Sequence, residues 1–317
     1  MHIEFVADTN ALIQQASPVD GDALLGFAVS VEASGFDGVT VGPQPDGHDA
    51  TGLASYLLHS TTQLTVLTQH DAGVAPPEVA AQQIATLDRL SRGRLKLAIV
   101  PGTDGDCSHE ERFERLDEYL VLLKRLWAND KAFDHEGRFF RVSGALAAAK
   151  PHGGRRVPLL MGGLSGTAVK VAARHADIFA LPPSTVAETR VLVERVRAAS
   201  SCHRRADAIR FSYPLRPVVA PTRNEAWAKA GERERSATAG EATLIAGTPQ
   251  QIASAIRDYH AAGISHFVLH GLATAEEVMS FGSHVIPAVR LAPHSERPGA
   301  AGQHQPALHF PWRRYRA

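Results

Sequence analysis

Eight short apolar runs punctuate the chain: 3–7 (IEFVA), 37–42 (DGVTVG), 64–69 (LTVLTQ), 95–100 (LKLAIV), 157–161 (VPLLM), 177–181 (DIFAL), 209–213 (IRFSY) and 266–271 (HFVLHG). They are continuous rather than alternating, as expected of strands covered on both faces. Apolar residues recur at helical spacing between most of them, over 19–34, 76–91, 109–128, 166–175, 185–199, 223–236 and 249–262, with a last helix at 275–289. A further helix starts near Ala50. Eight strand–helix alternations predict an α/β fold with a parallel sheet closed into a (β/α)8 TIM barrel. An open doubly wound sheet would place a glycine fingerprint after the first strand, but Asp8-Thr9-Asn10-Ala11-Leu12 stands there instead.

Two segments fall outside the repeat. Residues 130–152 alternate apolar and polar positions around Glu136-Gly137, which predicts a small hairpin inserted after the fourth helix. The barrel is therefore expected over 1–292, and 293–317, rich in Pro, His and Arg, as an extended or mobile tail.

Composition narrows the function. With formal net charge +0 the chain carries no electrostatic footprint for nucleic acid or an anionic membrane. No apolar run approaches the roughly 20 residues that span a bilayer. The start, MHIEFVADTN, lacks the basic and apolar regions of a signal peptide, so a cytoplasmic protein is expected. Cys107 and Cys202 have no paired spacing, which argues against a disulfide framework or a zinc ribbon.

Candidate chemistry gathers where barrel ligands bind, at the C-terminal ends of the strands. Gly162, Gly163, Leu164 and Ser165 join the fifth strand to a helix beginning near Gly166. Glycines there let backbone amides approach a phosphate at a helix N-terminus; they equally make a tight turn with Ser165 as cap. His270 closes the last strand and is a candidate acid, base or hydrogen-bonding group, or a plain rim residue. Tyr213 closes the seventh strand as a possible donor or a packing residue. Asn10 and Asp49 follow the first two strands as pocket candidates, Asp49 with N-capping as the better-supported role. Metal hydrolysis is disfavoured, because the first strand offers Asp8 and Asn10 but no histidine pair, and His48-Asp49, His70-Asp71 and His109-Glu110 are adjacent residues. No Gly-x-Ser-x-Gly elbow marks a serine hydrolase.

One segment carries more. "VAAQQIATLDRLSRGRLKLAIV" (79–100) resembles the signature of the bacterial luciferase-like flavin monooxygenases. Residues 17–39, 108–127, 135–142, 158–168 and 247–269 follow the same family in order, nearest its alkanesulfonate monooxygenase branch. The resemblance implies a barrel holding FMN at its C-terminal face, with the phosphate at Gly162–Ser165 and the third and fourth strand ends, Thr68, Gln69, His70, Gly102 and Thr103, beside the flavin. It also implies a homodimer. The sulfonate branch's polar residues are replaced: its Arg and His fall on Pro214 and Arg216, a cysteine on Gly47, a Tyr and a His on Leu272 and Thr274, and a tyrosine on Phe113. Arg216 remains a candidate grip for an anionic or polar substrate group, or equally a structural ion-pair partner. The mobile lid of such relatives is shortened here to the stretch around SATAGEATLIAGTP.

The expected function is a monooxygenase using reduced FMN and O2 on a small or medium organic substrate, with a separate flavin reductase as transient partner. The alternatives are a deazaflavin (F420)-dependent oxidoreductase on the same barrel and a non-catalytic flavin-binding subunit.

Overall fold

A computed structural model describes residues 2–15, 20–42, 49–102, 107–154, 156–234 and 242–291. The 293–317 tail and Thr103 lie outside them. The eight expected strands form in place: β1 (Glu4–Asp8), β2 (Gly38–Val41), β3 (Thr65–Asp71), β4 (Leu95–Val100), β7 (Leu159–Gly162), β8 (Ile178–Ala180), β9 (Arg210–Val219) and β11 (His266–Leu269). They pair in parallel in that order, and β11 returns to β1, closing a (β/α)8 TIM barrel.

The helices are α1 (Asn10–Gln15), α2 (Gly21–Ala33), α3 (Ala50–Ser60), α4 (Pro77–Leu90), α5 (His109–Ala128), α6 (Gly166–His175), α7 (Val186–Ser201), α8 (Arg223–Glu234), α9 (Pro249–Ala261) and α10 (Ala275–Leu291). Local chemistry starts several of them. Ser108, Thr185 and Thr248 each open a helix with a reciprocal capping box, and Asp49 accepts the Gly52 amide at 2.6 Å to cap α3. The inserted hairpin is β5 (Phe133–Glu136) paired with β6 (Arg141–Ala145).

One strand goes beyond the expected pattern. β10 (Thr243–Gly247) lies within the stretch read as a short return, and pairs with Leu215–Val219 of β9. The ten residues of β9 thus serve three partners in turn: β8 at Arg210–Ser212, β11 at Ser212–Leu215, and β10 beyond.

Strand alternation sorts side chains into two cores. Phe5, Ala7, Phe211, Phe267 and Leu269 face outward and join the helices in one apolar cluster, where Phe5 contacts Phe267 and Phe281 at ring separations of 6.0 and 5.9 Å. The alternate residues face the barrel interior. At its N-terminal floor Glu4 meets Lys96 and Arg210, each at 2.8 Å, and His266 meets Ser212 Oγ at 2.9 Å. Ion pairs thus plug that end. The other end carries the candidate site.

Candidate active site

Glu4, Val6 and Asp8 share the inner face of β1, and His266 and Val268 share that of β11, with Glu4 beside His266 and Val6 beside Val268. Two residues further along, the same register sets Asp8 beside His270 at the mouth. Their contact is 2.8 Å between Asp8 Oδ2 and His270 Nδ1, although 262 positions separate them in the chain. Asp8 is buried, with its side chain 5% exposed, whereas that of His270 is 26% exposed. The other oxygen of Asp8 accepts the Asn10 amide at 3.2 Å.

Two more candidates approach this mouth. A Cβ added to Gly42, just past β2, would lie 3.1 Å from Asn10 Nδ2, so the Asn10 amide covers that turn. A Cβ added to Gly271 would lie 3.3 Å from Arg216 Cγ, which places the Arg216 stem over the residue after His270. Asn10, Arg216 and His270 thus all lie at the C-terminal ends of adjoining strands. Asp49 does not join them: it is exposed, and its carboxylate caps α3.

Tyr213 requires a correction. Its parity on β9 is that of Phe211 and Leu215, so it points outward into the helical layer and is fully buried. Its hydroxyl accepts the Ser184 amide at 2.7 Å, lies 2.7 Å from Thr243 Oγ1 and also donates to the Ser184 carbonyl. The ring stacks on Tyr259 at 4.4 Å. It ties β9 to its neighbours and has no access to the mouth.

The turn after β7 opens a helix N-terminus. Gly163 has φ +116°, and an added Cβ would come 2.8 Å from Ala168 Cβ in the first turn of α6. Glycine is demanded by both dihedral and space. Ser165 caps the helix by accepting the Ala168 amide at 3.1 Å. His109, at the start of α5, reaches across to Ser165 Oγ at 3.0 Å, its ring tilted over Phe113. Arg195 donates to the Leu164 carbonyl at 3.2 Å. The turn is open, with Gly163 and Leu164 exposed. A helix N-terminus and the paired Ser165 and His109 side chains, with an arginine anchoring the loop, are the groups that could hold a phosphate monoester.

The ends of β3 and β4 divide between the two faces. Thr68 points outward and donates to the Ala50 carbonyl at 3.1 Å. His70 also points outward, its Nε2 2.8 Å from the Tyr119 hydroxyl. Burial holds its imidazole below the usual range, against the opposing charge of Asp71. These two side chains are corrected to the helical layer. Gln69 alone of the three pairs with Ala98 on the inner face. Gly102 is explained by packing: an added Cβ would lie 2.8 Å from Gly73 Cα, so the two turns touch backbone to backbone.

Asp8 and His109 are the residues a sequence reading undervalues. Asp8 did carry a signal, a charge closing an apolar strand at the ligand end of a barrel. His109 carried none, because its partner Ser165 is 56 positions away. Among the described residues, no group of three His, Cys, Asp or Glu is placed to hold a metal ion, and no helix is long and apolar enough to cross a membrane.

Comparison with known structures places this architecture. The fold matches a long-chain alkane monooxygenase with TM-score 0.82 at 17% identity, over 92% of each chain. It matches the EDTA monooxygenase of Chelativorans sp. BNC1 with TM-score 0.80 at 17% identity, covering 92% of this chain and 94% of that one. An F420-dependent secondary alcohol dehydrogenase, solved with an F420-acetone adduct, matches with TM-score 0.72 at 19% identity, over 92% of this chain and 100% of the other. The family model described as luciferase-like monooxygenase matches residues 2–239. With that match spanning the barrel from its first strand through α8, the chain belongs to the luciferase-like monooxygenase family.

Proposed function

We propose that this protein is a flavin-dependent monooxygenase that takes reduced FMN from a separate reductase and oxidises a small or medium organic substrate at the C-terminal mouth of the barrel. The observation that carries the reading is the turn after β7, where a glycine of positive φ, a capping serine and His109 meet at an exposed helix N-terminus. Those groups would hold the phosphate of FMN. The inner-face position of Gln69 and the tight Gly102–Gly73 contact would border the rest of the cofactor. Reduced FMN, when bound, supplies the two electrons with which O2 is used to oxidise an organic molecule.

The chain's own contribution is to grip and orient. Ser165 Oγ and the first amides of α6 present donors that the protein has already ordered for helix capping, so little further ordering is required on binding. His109 adds positive charge when protonated. Asn10 and Arg216 offer polar contacts beside the mouth, and the sulfonate branch's Tyr and His are absent: Leu272, at one of those places, is a buried apolar residue. A substrate other than a small alkanesulfonate follows.

A second reading, an F420-dependent oxidoreductase, is favoured by one feature. The return from α8 to α9 is short in sequence, and its described residues include β10 on the flank of β9, where a longer segment would cover the mouth and exclude water. Titration of the purified protein with reduced FMN and with reduced F420 under anaerobic conditions separates the two. The proposal expects FMN to bind, with affinity reduced in Ser165→Ala, and oxygen uptake on admission of air. Binding of F420 alone would establish the second reading, and binding of neither would leave a subunit without this chemistry.

A further inference from the structure

We propose that Asp8 and His270 form a proton-accepting dyad: Asp8 fixes the imidazole in its Nδ1–H tautomer, and His270 Nε2 is the base presented to a substrate carrying a hydroxyl or amine proton. This rests on the reading of the barrel mouth as the active site, and adds to it the class of substrate and the residue that positions its base.

The geometry assigns the tautomer. An ionised carboxylate only accepts hydrogen bonds, so the 2.8 Å contact between Asp8 Oδ2 and His270 Nδ1 makes Nδ1 the donor. In the neutral ring Nε2 then bears the lone pair. Asp8 is well held: its Oδ1 takes the Asn10 amide, and its side chain is sealed from solvent at 5% exposure. The backbone that carries the ring is fixed beside β9, because the His270 amide donates to the Leu215 carbonyl at 2.7 Å. Among the described residues no hydrogen bond occupies Nε2, and the ring is the partly exposed member of the pair. The arrangement is a buried carboxylate, an oriented imidazole and an open ring nitrogen, the relation that makes histidine an effective general base.

In the step the dyad performs, the O–H or N–H bond of the substrate breaks and its electron pair stays on the heteroatom. The proton joins Nε2, and the resulting imidazolium faces the Asp8 carboxylate. The proton leaves later to water, so the dyad is restored without any oxidant or reductant of its own. His270 is the catalytic residue in this scheme; Asp8 is a positioning residue that acts through it.

The test uses the full chain labelled with 15N at its histidine rings, in alkaline solution where imidazoles are neutral. His270→Gln identifies the His270 signals. The expected wild-type spectrum has Nδ1 protonated and Nε2 unprotonated, and Asp8→Asn loses that preference while the protein stays folded by circular dichroism. A wild-type His270 protonated on Nε2 overturns the proposal, and so does an Asp8→Asn spectrum identical to wild type. Should Asp8→Asn fail to fold, the wild-type tautomer decides alone. Diethyl pyrocarbonate, which acylates an accessible unprotonated imidazole nitrogen, is the second probe, read by peptide mass mapping. His270 is expected to react, roughly tenfold more slowly in Asp8→Asn; an unreactive His270 overturns the proposal. Added FMN separates the two readings. If FMN binds elsewhere or not at all, it leaves His270 acylation unchanged, and the flavin reading fails while the tautomer still stands.

Discussion

Replacing Glu4 with glutamine removes one negative charge from the floor of the barrel and changes almost nothing in shape. Glu4 Oε2 lies 2.8 Å from Lys96 Nζ, and Oε1 lies 2.8 Å from Arg210 Nη1. The Glu4 side chain is 17% exposed and that of Lys96 is 8% exposed, so solvent screens this cluster little. Two effects oppose each other. Burial raises the carboxyl's pKa, and the charges and hydrogen bonds of Lys96 and Arg210 lower it; the cations win, bringing it from 4.5 to about 2. At 1.36 kcal/mol per pKa unit, that difference is worth about 3 kcal/mol of folding stability when the group is ionised in both states. The sign is that of a depressed acid. The contribution is fully present above the unfolded pKa of 4.5 and is lost as the pH falls towards 2. Urea unfolding of wild type and Glu4→Gln, compared at neutral pH and at about pH 3.5, reads it directly. The gap between the proteins is expected to be about 3 kcal/mol near neutrality, in line with the cost of breaking a buried ion pair, and to narrow by about 1 kcal/mol at the acid end. A gap that stays constant across that range would refute the electrostatic account and leave only a packing effect.

Three further outcomes test the site. Gly163→Ala combines an unfavourable φ of +116° with a 2.8 Å approach to Ala168 Cβ, so it should cost about 1–3 kcal/mol in thermal unfolding and weaken FMN binding; an unchanged melting temperature and affinity would remove the case for a glycine turn. Ser165→Ala loses the cap on the Ala168 amide and the contact with His109, and is expected to cost about 1 kcal/mol of stability and to raise the Kd for FMN in fluorescence titration; an unaltered Kd would place the phosphate elsewhere. Tyr213→Phe should lower stability by about 1–3 kcal/mol, through the Ser184 amide it leaves unpaired, and leave FMN affinity as it was; a loss of affinity with stability intact would return Tyr213 to the site.

Much of the molecule was legible locally. All eight barrel strands fall on the apolar runs, because mainly apolar runs of five or six residues between longer amphipathic stretches are too short for helices and suit strands buried on both faces. The glycine turn and its serine cap were legible for the same reason, since a helix N-terminus is specified by its own few residues. β10 is not legible in this way: TLIAG reads as part of a short return, and its pairing partner is the far half of β9.

Sequence by itself therefore determined the eight barrel strands, their order, and the end of the barrel at which the candidate site lies. Only tertiary structure decided which side chains reach that end. A strand buried on both faces shows no alternation, so nothing local tells inward from outward, and a shift of one residue exchanges the faces. That parity sends Tyr213, Thr68 and His70 into the helical layer and keeps Gln69 and His270 facing the barrel interior. Register between the first and last strands, fixed by ring closure, then brings Asp8 to His270. Their meeting depends on how the barrel closes, and no property of either segment alone contains it.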